Sequence, residues 1–130
     1  MHNLNPPGWD PPSGYSNGVA ARGTIVFVAG QIGWDERRRI VSEDLAGQAE
    51  QALRNVVAVL AEAGARPGHV ARMTWYVVDR EAYLAAQKDI GRAYRAIFES
   101  HYPAMTLVEV SALLEPGALV EIEATAVVPD

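Results

Sequence analysis

Tyr102-Pro103-Ala104-Met105-Thr106-Leu107-Val108-Glu109-Val110, followed through a Pro116-Gly117 turn by Leu119-Val120-Glu121-Ile122-Glu123-Ala124-Thr125-Ala126, is the stretch that decides the fold. Both segments read as strands, and strand side chains point alternately to opposite faces of a sheet. In the second, Val120, Ile122, Ala124 and Ala126 share an apolar face, while Glu121, Glu123 and Thr125 point the other way. In the first, Thr106, Val108 and Val110 alternate with Met105, Leu107 and Glu109. We expect one sheet face to lie under helices and the other to mix Met105, Leu107, Glu109, Glu121 and Glu123 with apolar residues of central strands. Such a face is too apolar to be left bare and too acidic to be a monomer core. Association through it is the simplest solution, with carboxylates at the seams between subunits.

Working back from these strands, Asp79 reads as the N-cap of a helix with an apolar stripe of Tyr83, Ala86, Ile90, Tyr94 and Ile97, stopping before Pro103. His69 to Val78 reads as a strand. Ser42-Glu43-Asp44 opens an earlier helix with a capping hydroxyl and acidic first-turn residues. Its stripe is Leu45, Ala49, Leu53, Val56, Leu60 and Ala63, and Gly64 ends it. Val19–Arg22 and Thr24–Ala29 read as two strands around a turn at Gly23, and Arg39-Ile40-Val41 as a short third strand. Residues 1–14, with Pro6, Pro7, Gly8, Pro11, Pro12 and Gly14, form an irregular lead-in that Trp9 pins to the body. The order β-β-(β)-α-β-α-β-β predicts one α+β domain over residues 1–130, a mixed sheet with two helices on one face.

The bulk properties narrow the function. A chain of 130 residues holds one domain with a real core. A net charge of -5 argues against nucleic acid as a partner, because such binding rests on neutralising phosphates. Arg37-Arg38-Arg39, beside Asp35 and Glu36, reads as a solvated hairpin tip. No apolar run approaches the roughly 20 residues needed to span a bilayer, so no membrane is expected. The N-terminus has no signal-peptide pattern, which makes the cytoplasm the expected compartment. There is no cysteine, hence no thiolate ligand or cysteine nucleophile.

Several segments together resemble the RidA/YjgF family of small trimeric proteins, whose best-known members hydrolyse reactive enamines and imines. These are Gly14-Tyr15-Ser16-Asn17-Gly18, Phe27-Val28-Ala29-Gly30-Gln31-Ile32-Gly33, Gln48 to Val56, Pro103-Ala104, and Val120-Glu121-Ile122-Glu123-Ala124. The match runs from about Gly14 to Val127. The resemblance implies a chorismate-mutase-like homotrimer, with sheets forming a central barrel, helices outside, and small-molecule clefts between neighbouring subunits. It implies a cleft built from Tyr15, Gly30, the position of Met105, and Glu121, in which the glutamate positions and activates a water. From the residues alone, Tyr15 is equally a core or interface aromatic, and Gly30 is first a turn residue. A subunit-interface salt bridge is the rival reading of Glu121, and Glu123 is the structural acid, with an arginine as its candidate partner.

Three positions depart from the family pattern. Met105 stands where relatives carry the arginine that holds the substrate carboxylate. Gly91 stands about where many carry an asparagine facing the cleft, and Leu107 where Cys, Ser or Thr is common. A guanidinium grips a carboxylate through a planar fork that methionine cannot imitate. Losing a bond to a charged group, about 1.5–3 kcal/mol, costs at least a tenfold to hundredfold in binding. The substrate then lacks the α-carboxylate and is bulkier or aromatic, or another arginine (Arg22, Arg92 or Arg95) supplies the clamp, or catalysis has been lost.

Other chemistry has little support. His2, His69 and His101 show no metal-ligand spacing, and no cofactor or metal is expected. No serine sits in a nucleophile elbow, and Gly30/Gly33 do not open a helix. His101 reads as a helix-end histidine favoured by the dipole, and Trp34 as either a cap on the cleft mouth or an interface residue. The expected function is therefore an imine/enamine hydrolase with a shifted substrate. The alternative is a non-catalytic small-molecule-binding or chaperone-like trimer, and a ribonuclease or translation inhibitor ranks third.

Overall fold

Two aspartates start the two helices of the computed structural model, which describes residues 1–130. Helix α1 spans Leu45–Ala61; extended Asp44 caps it, its Oδ2 accepting the Gly47 N–H at 3.2 Å. The expected capping hydroxyl, Ser42 Oγ, instead accepts the Asp44 N–H at 3.0 Å and so orients the cap. Leu45, Ala49, Leu53, Val56 and Leu60 are buried as their spacing predicts, while Ala63 lies past the helix end and is exposed. Gly64 follows at φ +69°, the left-handed conformation that glycine tolerates after a helix. Helix α2 spans Arg80–Phe98, with Asp79 Oδ1 accepting the Ala82 N–H at 3.1 Å. Its Ile90, Tyr94 and Phe98 are buried, and Tyr83, Ala86 and Ile97 pack against the same core.

The sheet holds four strands: β3 (Thr24–Ile32), β4 (Val70–Val77), β5 (Ala104–Glu109) and β6 (Val120–Val128). Their spatial order is β3-β6-β4-β5. β6 pairs antiparallel with β3 and β4, whereas β5 runs parallel to β4, the two being joined by α2. The fold is thus α+β with a mixed sheet. Val28, Val70, Met73, Trp75, Val77, Val120, Ile122, Ala124 and Ala126 form the sheet's share of a core completed by both helices.

The phase of β5 differs from the sequence expectation. Met105 lies opposite Met73 and Leu107 opposite Trp75, and both partners are core residues under the helices. Met105, Leu107 and Glu109 therefore share the helix face, not the face of Glu121 and Glu123. Glu109 explains how an acid is accommodated there. At the strand end its Oε1 accepts the Arg80 N–H at 2.7 Å, capping α2 beside Asp79. The opposite face carries Ile25, Phe27, Thr74, Tyr76, Val108, Glu121 and Glu123, with Phe27 78% exposed and Ile25 57%.

At the N-terminus, β1 (His2–Leu4) pairs antiparallel with β2 (Gly18–Ala20) in a separate two-stranded sheet. The proline-rich lead-in thus contains a strand, and β2 pairs with it rather than with β3. Gly23 is required after β2: a Cβ there would lie 1.9 Å from the Val128 carbonyl oxygen. The expected strand at Arg39–Val41 reduces to one bridge, Trp34 to Ile40, behind the solvated tip held by Asp35.

One buried polar side chain fastens the long connection before β6. Gln48, fully buried on α1, donates from Nε2 to the carbonyls of Ser42 and Gly117, both at 2.9 Å, and its Oε1 accepts the Leu119 N–H at 2.8 Å. An amide has both donor and acceptor ends, so no apolar residue of equal size replaces it. Gln48→Leu strands three backbone groups, at about 1 kcal/mol or more each. Urea denaturation is expected to show a loss of roughly 3 kcal/mol; a loss below about 1 kcal/mol would show that water substitutes for the amide.

Candidate functional site

Tyr15, Gly91, Met105 and Leu107 line one cleft of about 440 Å³ between α2 and the edge strand β5. That volume suits a small metabolite. The other two predicted site residues, Gly30 and Glu121, are not part of it and lie together on the far side of the sheet.

The cleft is strongly aromatic. Trp75 rises from β4 and meets Tyr83 of α2 edge to face, with centroids 6.4 Å apart. Tyr94 stacks between Phe98 at 4.9 Å and Tyr102 at 5.5 Å, and donates its hydroxyl to the His101 carbonyl at 2.7 Å. The His101 ring is itself bonded to the Val70 carbonyl at 2.7 Å, so it is a structural link rather than a cleft group. Tyr15 reaches the cleft because its neighbour is pinned. Buried Ser16 donates through Oγ to the Tyr102 carbonyl at 2.6 Å and through its N–H to the Pro103 carbonyl at 3.0 Å. Sequence reasoning placed Tyr83, Ile90 and Tyr94 on a core stripe and missed that the stripe also forms a cleft wall. It also missed Trp75, Tyr102 and Gln87, which line the cleft as well. Of the candidate arginines, Arg95 lines the cleft, Arg92 is paired to Asp89, and Arg22 is elsewhere.

On the open face the two acids differ. Glu123 is engaged: the Tyr76 hydroxyl donates to its Oε1 at 2.6 Å, so its partner is a phenol rather than an arginine. Glu121 has no donor or cation in bonding range within the protomer. Its carboxylate lies across the bare backbone of Gly30, where a Cβ would sit 2.2 Å from Oε2 and 2.7 Å from Cδ. Gly30 falls in the β-bulge between Val28 and Gln31, so the close approach and the bulge coincide. No group of three or more metal-ligating side chains converges anywhere in the chain, and no helix is long and apolar enough to cross a membrane.

Comparison with known proteins assigns this architecture. Residues 8–128 match the family model described as Endoribonuclease L-PSP. The chain belongs to the Rid (RidA/YjgF) family. It is 36% identical over 108 residues to the 2-iminobutanoate/2-iminopropanoate deaminase of Salmonella typhimurium, covering 81% of this chain and 80% of that protein. The human protein of the same name is 33% identical over 114 residues, covering 87% of this chain and 79% of the other. Among solved structures, the Rid-family protein YyfB from Yersinia pestis, of unknown function, superposes with a TM-score of 0.87. It is 35% identical, over 98% of both chains. The YjgF gene product of E. coli gives 0.69 at 34% identity over 87% of each chain.

Within this Rid-family frame, the tyrosines carry the clearest electrostatic signature. Burial holds the phenols of Tyr83 and Tyr94 above the ordinary value of 10.0, Tyr94 the more strongly. The bond to Glu123, with lesser help from desolvation, raises that of Tyr76. Each raised value favours the neutral phenol in the folded state. The stability it brings is full below pH 10.0 and is lost as pH rises through the folded value. An alkaline absorbance titration is expected to resolve these three of the five tyrosines as late-ionising, and Tyr94→Phe to remove the last component. A single wave at the ordinary value would contradict the packing described.

Proposed function

We propose that the chain is an imine/enamine hydrolase that works as a homotrimer on a small metabolite unlike the usual amino-acid-derived imines. The observation that carries this reading is the unpartnered Glu121 carboxylate laid over Gly30, on a face too apolar to remain in water. The deaminase activity in the names of the Salmonella and human relatives points the same way.

The division of the site residues between the two sheet faces supports an intersubunit site. Glu121 and Gly30 cannot act on a ligand bound over Met105 in the same protomer, because the sheet stands between them. β3 and β5 are the two edges of the sheet. A head-to-tail ring brings the β5 side of one subunit against the β3 side of the next. Each cleft then takes Tyr15, Gly91, Met105 and Leu107 from one subunit and Gly30 and Glu121 from its neighbour. Three subunits close the ring, as the family resemblance implies.

The chemistry asks little of the protein. The Glu121 carboxylate accepts a proton from a bound water while that water's oxygen adds to the carbon of the C=N bond. The proton is relayed to nitrogen to give the carbinolamine; its hydroxyl proton then passes to nitrogen through the same carboxylate as the C–N bond breaks, leaving the carbonyl and ammonia. An enamine enters the same path after tautomerising to its imine. Met105 and Leu107 make the floor dry and adaptable, which suits an apolar substituent better than a small carboxylated one.

A second reading, a trimer that binds without turnover, is favoured by Met105 in the clamp position. Ammonia release from a panel of imines with and without α-carboxylates separates the two. The hydrolase is expected to turn over an apolar or aromatic member, and Glu121→Gln to lower that rate by about 100-fold or more, a typical contribution of a positioned acid–base group. Turnover of none would leave the binding reading, and turnover at equal rates in the variant would remove Glu121 as the acid–base group. The ring makes a separate prediction. Phe27→Asp places a charge on the open face and is expected to convert a species of three times 14.1 kDa into monomers in sedimentation, abolishing turnover with it. A variant that sediments like the parent would refute this surface as the interface.

A further inference from the structure

Arg95 is the one arginine of α2 without a carboxylate partner: Arg80 is bonded to Glu81 and Arg92 to Asp89. Its guanidinium lies back over the previous turn, against Gly91. A Cβ on Gly91 would meet Nη1 at 3.1 Å and Nη2 at 3.8 Å. Both residues line the aromatic cleft. With no side chain at Gly91 the guanidinium rests directly on the helix backbone at the cleft. Around the corner, Lys88, Arg92 and Arg95 share a shallow concavity with Gln87, and Gln87 and Arg95 belong to the cleft as well. On a chain of net charge -5 this is a local cationic approach that ends at the cleft mouth.

We propose that Arg95 is the anion-recognising residue of the cleft, holding a carboxylate at the far end of a substrate whose apolar or aromatic body lies over Trp75, Tyr83, Met105 and Leu107. The proposal rests on the reading of this cleft as the substrate site. It deepens that reading by moving the charge contact from the strand floor at Met105 to the helix wall at Arg95. The geometry selects by shape. With Met105 and Leu107 on the strand floor, aromatic side chains in the walls and the guanidinium on the helix wall, a substrate needs an apolar body to satisfy both. A free guanidinium offers a planar fork to a carboxylate, which a lysine at the same place would not.

The test compares 4-oxo-4-phenylbutanoate with butyrophenone by calorimetry on the whole protein; the first carries a carboxylate away from the carbonyl and the second lacks it. Wild type is expected to bind the carboxylate about tenfold or more the tighter, the range for a bond to a charged group. In Arg95→Ala the ratio is expected to fall to near one, and Arg95→Lys to recover only part of it. Arg92→Ala removes the same charge from a residue already paired to Asp89 and should keep the ratio within about twofold. An equal ratio in wild type and Arg95→Ala, or an equal fall in Arg92→Ala, would overturn the assignment, as would failure of wild type to bind either ketone. Because the readout is binding, the proposals separate. Discrimination that depends on Arg95 without ammonia release removes the hydrolase reading and keeps the anion site. Turnover with no dependence on Arg95 does the reverse.

Discussion

The parallel pairing of β5 with β4 is the constraint on which the rest of the molecule turns. It is the one parallel strand pair in the sheet, and it requires a crossover, which α2 supplies. Once Met105 lies opposite Met73, every second residue of β5 faces α2, and a cleft between that strand and that helix follows. The same parity sends Thr106 and Val108 to the open face beside Glu123 and Glu121. A shift of one residue would exchange the two sets. Glu109 locks the phase, because only from the helix face does its carboxylate reach the first turn of α2.

The two faces carry opposite kinds of incompleteness. The helix face holds an aromatic cleft with a free guanidinium at its edge and no acid in the lining. The open face holds an unpartnered acid among exposed apolar side chains. A glycine lies under each of these charges, to different degrees. The Glu121 carboxylate occupies the space that a Cβ on Gly30 would need, 2.2 Å from Oε2, whereas a Cβ on Gly91 would lie 3.1 Å from Nη1 of Arg95 and ask only a small shift of that flexible end.

Much of this was legible in the sequence, and the failures are instructive. Both helices, their apolar stripes and the Asp79 cap followed from spacing and capping chemistry. β1 was not legible, because three residues carry no measurable alternation, and the prolines after it dominate the reading. The face assignment of β5 failed for a different reason. Alternation divides a strand into two sets but does not say which set faces the helices, and an acid in one set pointed to solvent. The acid was a helix cap, a role that depends on where α2 begins in space. Gly30 and Glu121 were named singly from the family resemblance; that they touch each other is a property of the bulge in β3. Trp75 sits in a run of core residues, and nothing in its sequence context marks it as a cleft wall.

The links at either end of the cleft have a consequence of their own. At one end Glu109 ties β5 to the start of α2. At the other, Tyr94 stacks on Tyr102 and bonds the His101 carbonyl, while Ser16 fastens the turn to the N-terminal segment. Strand and helix are thus stapled together above and below the opening, so its width is set before any ligand arrives. A guest that fits forfeits little free energy to reorganising the walls, and one that is too thick finds no hinge to open. On the function proposed above, such a cleft sorts molecules by girth first and by charge second.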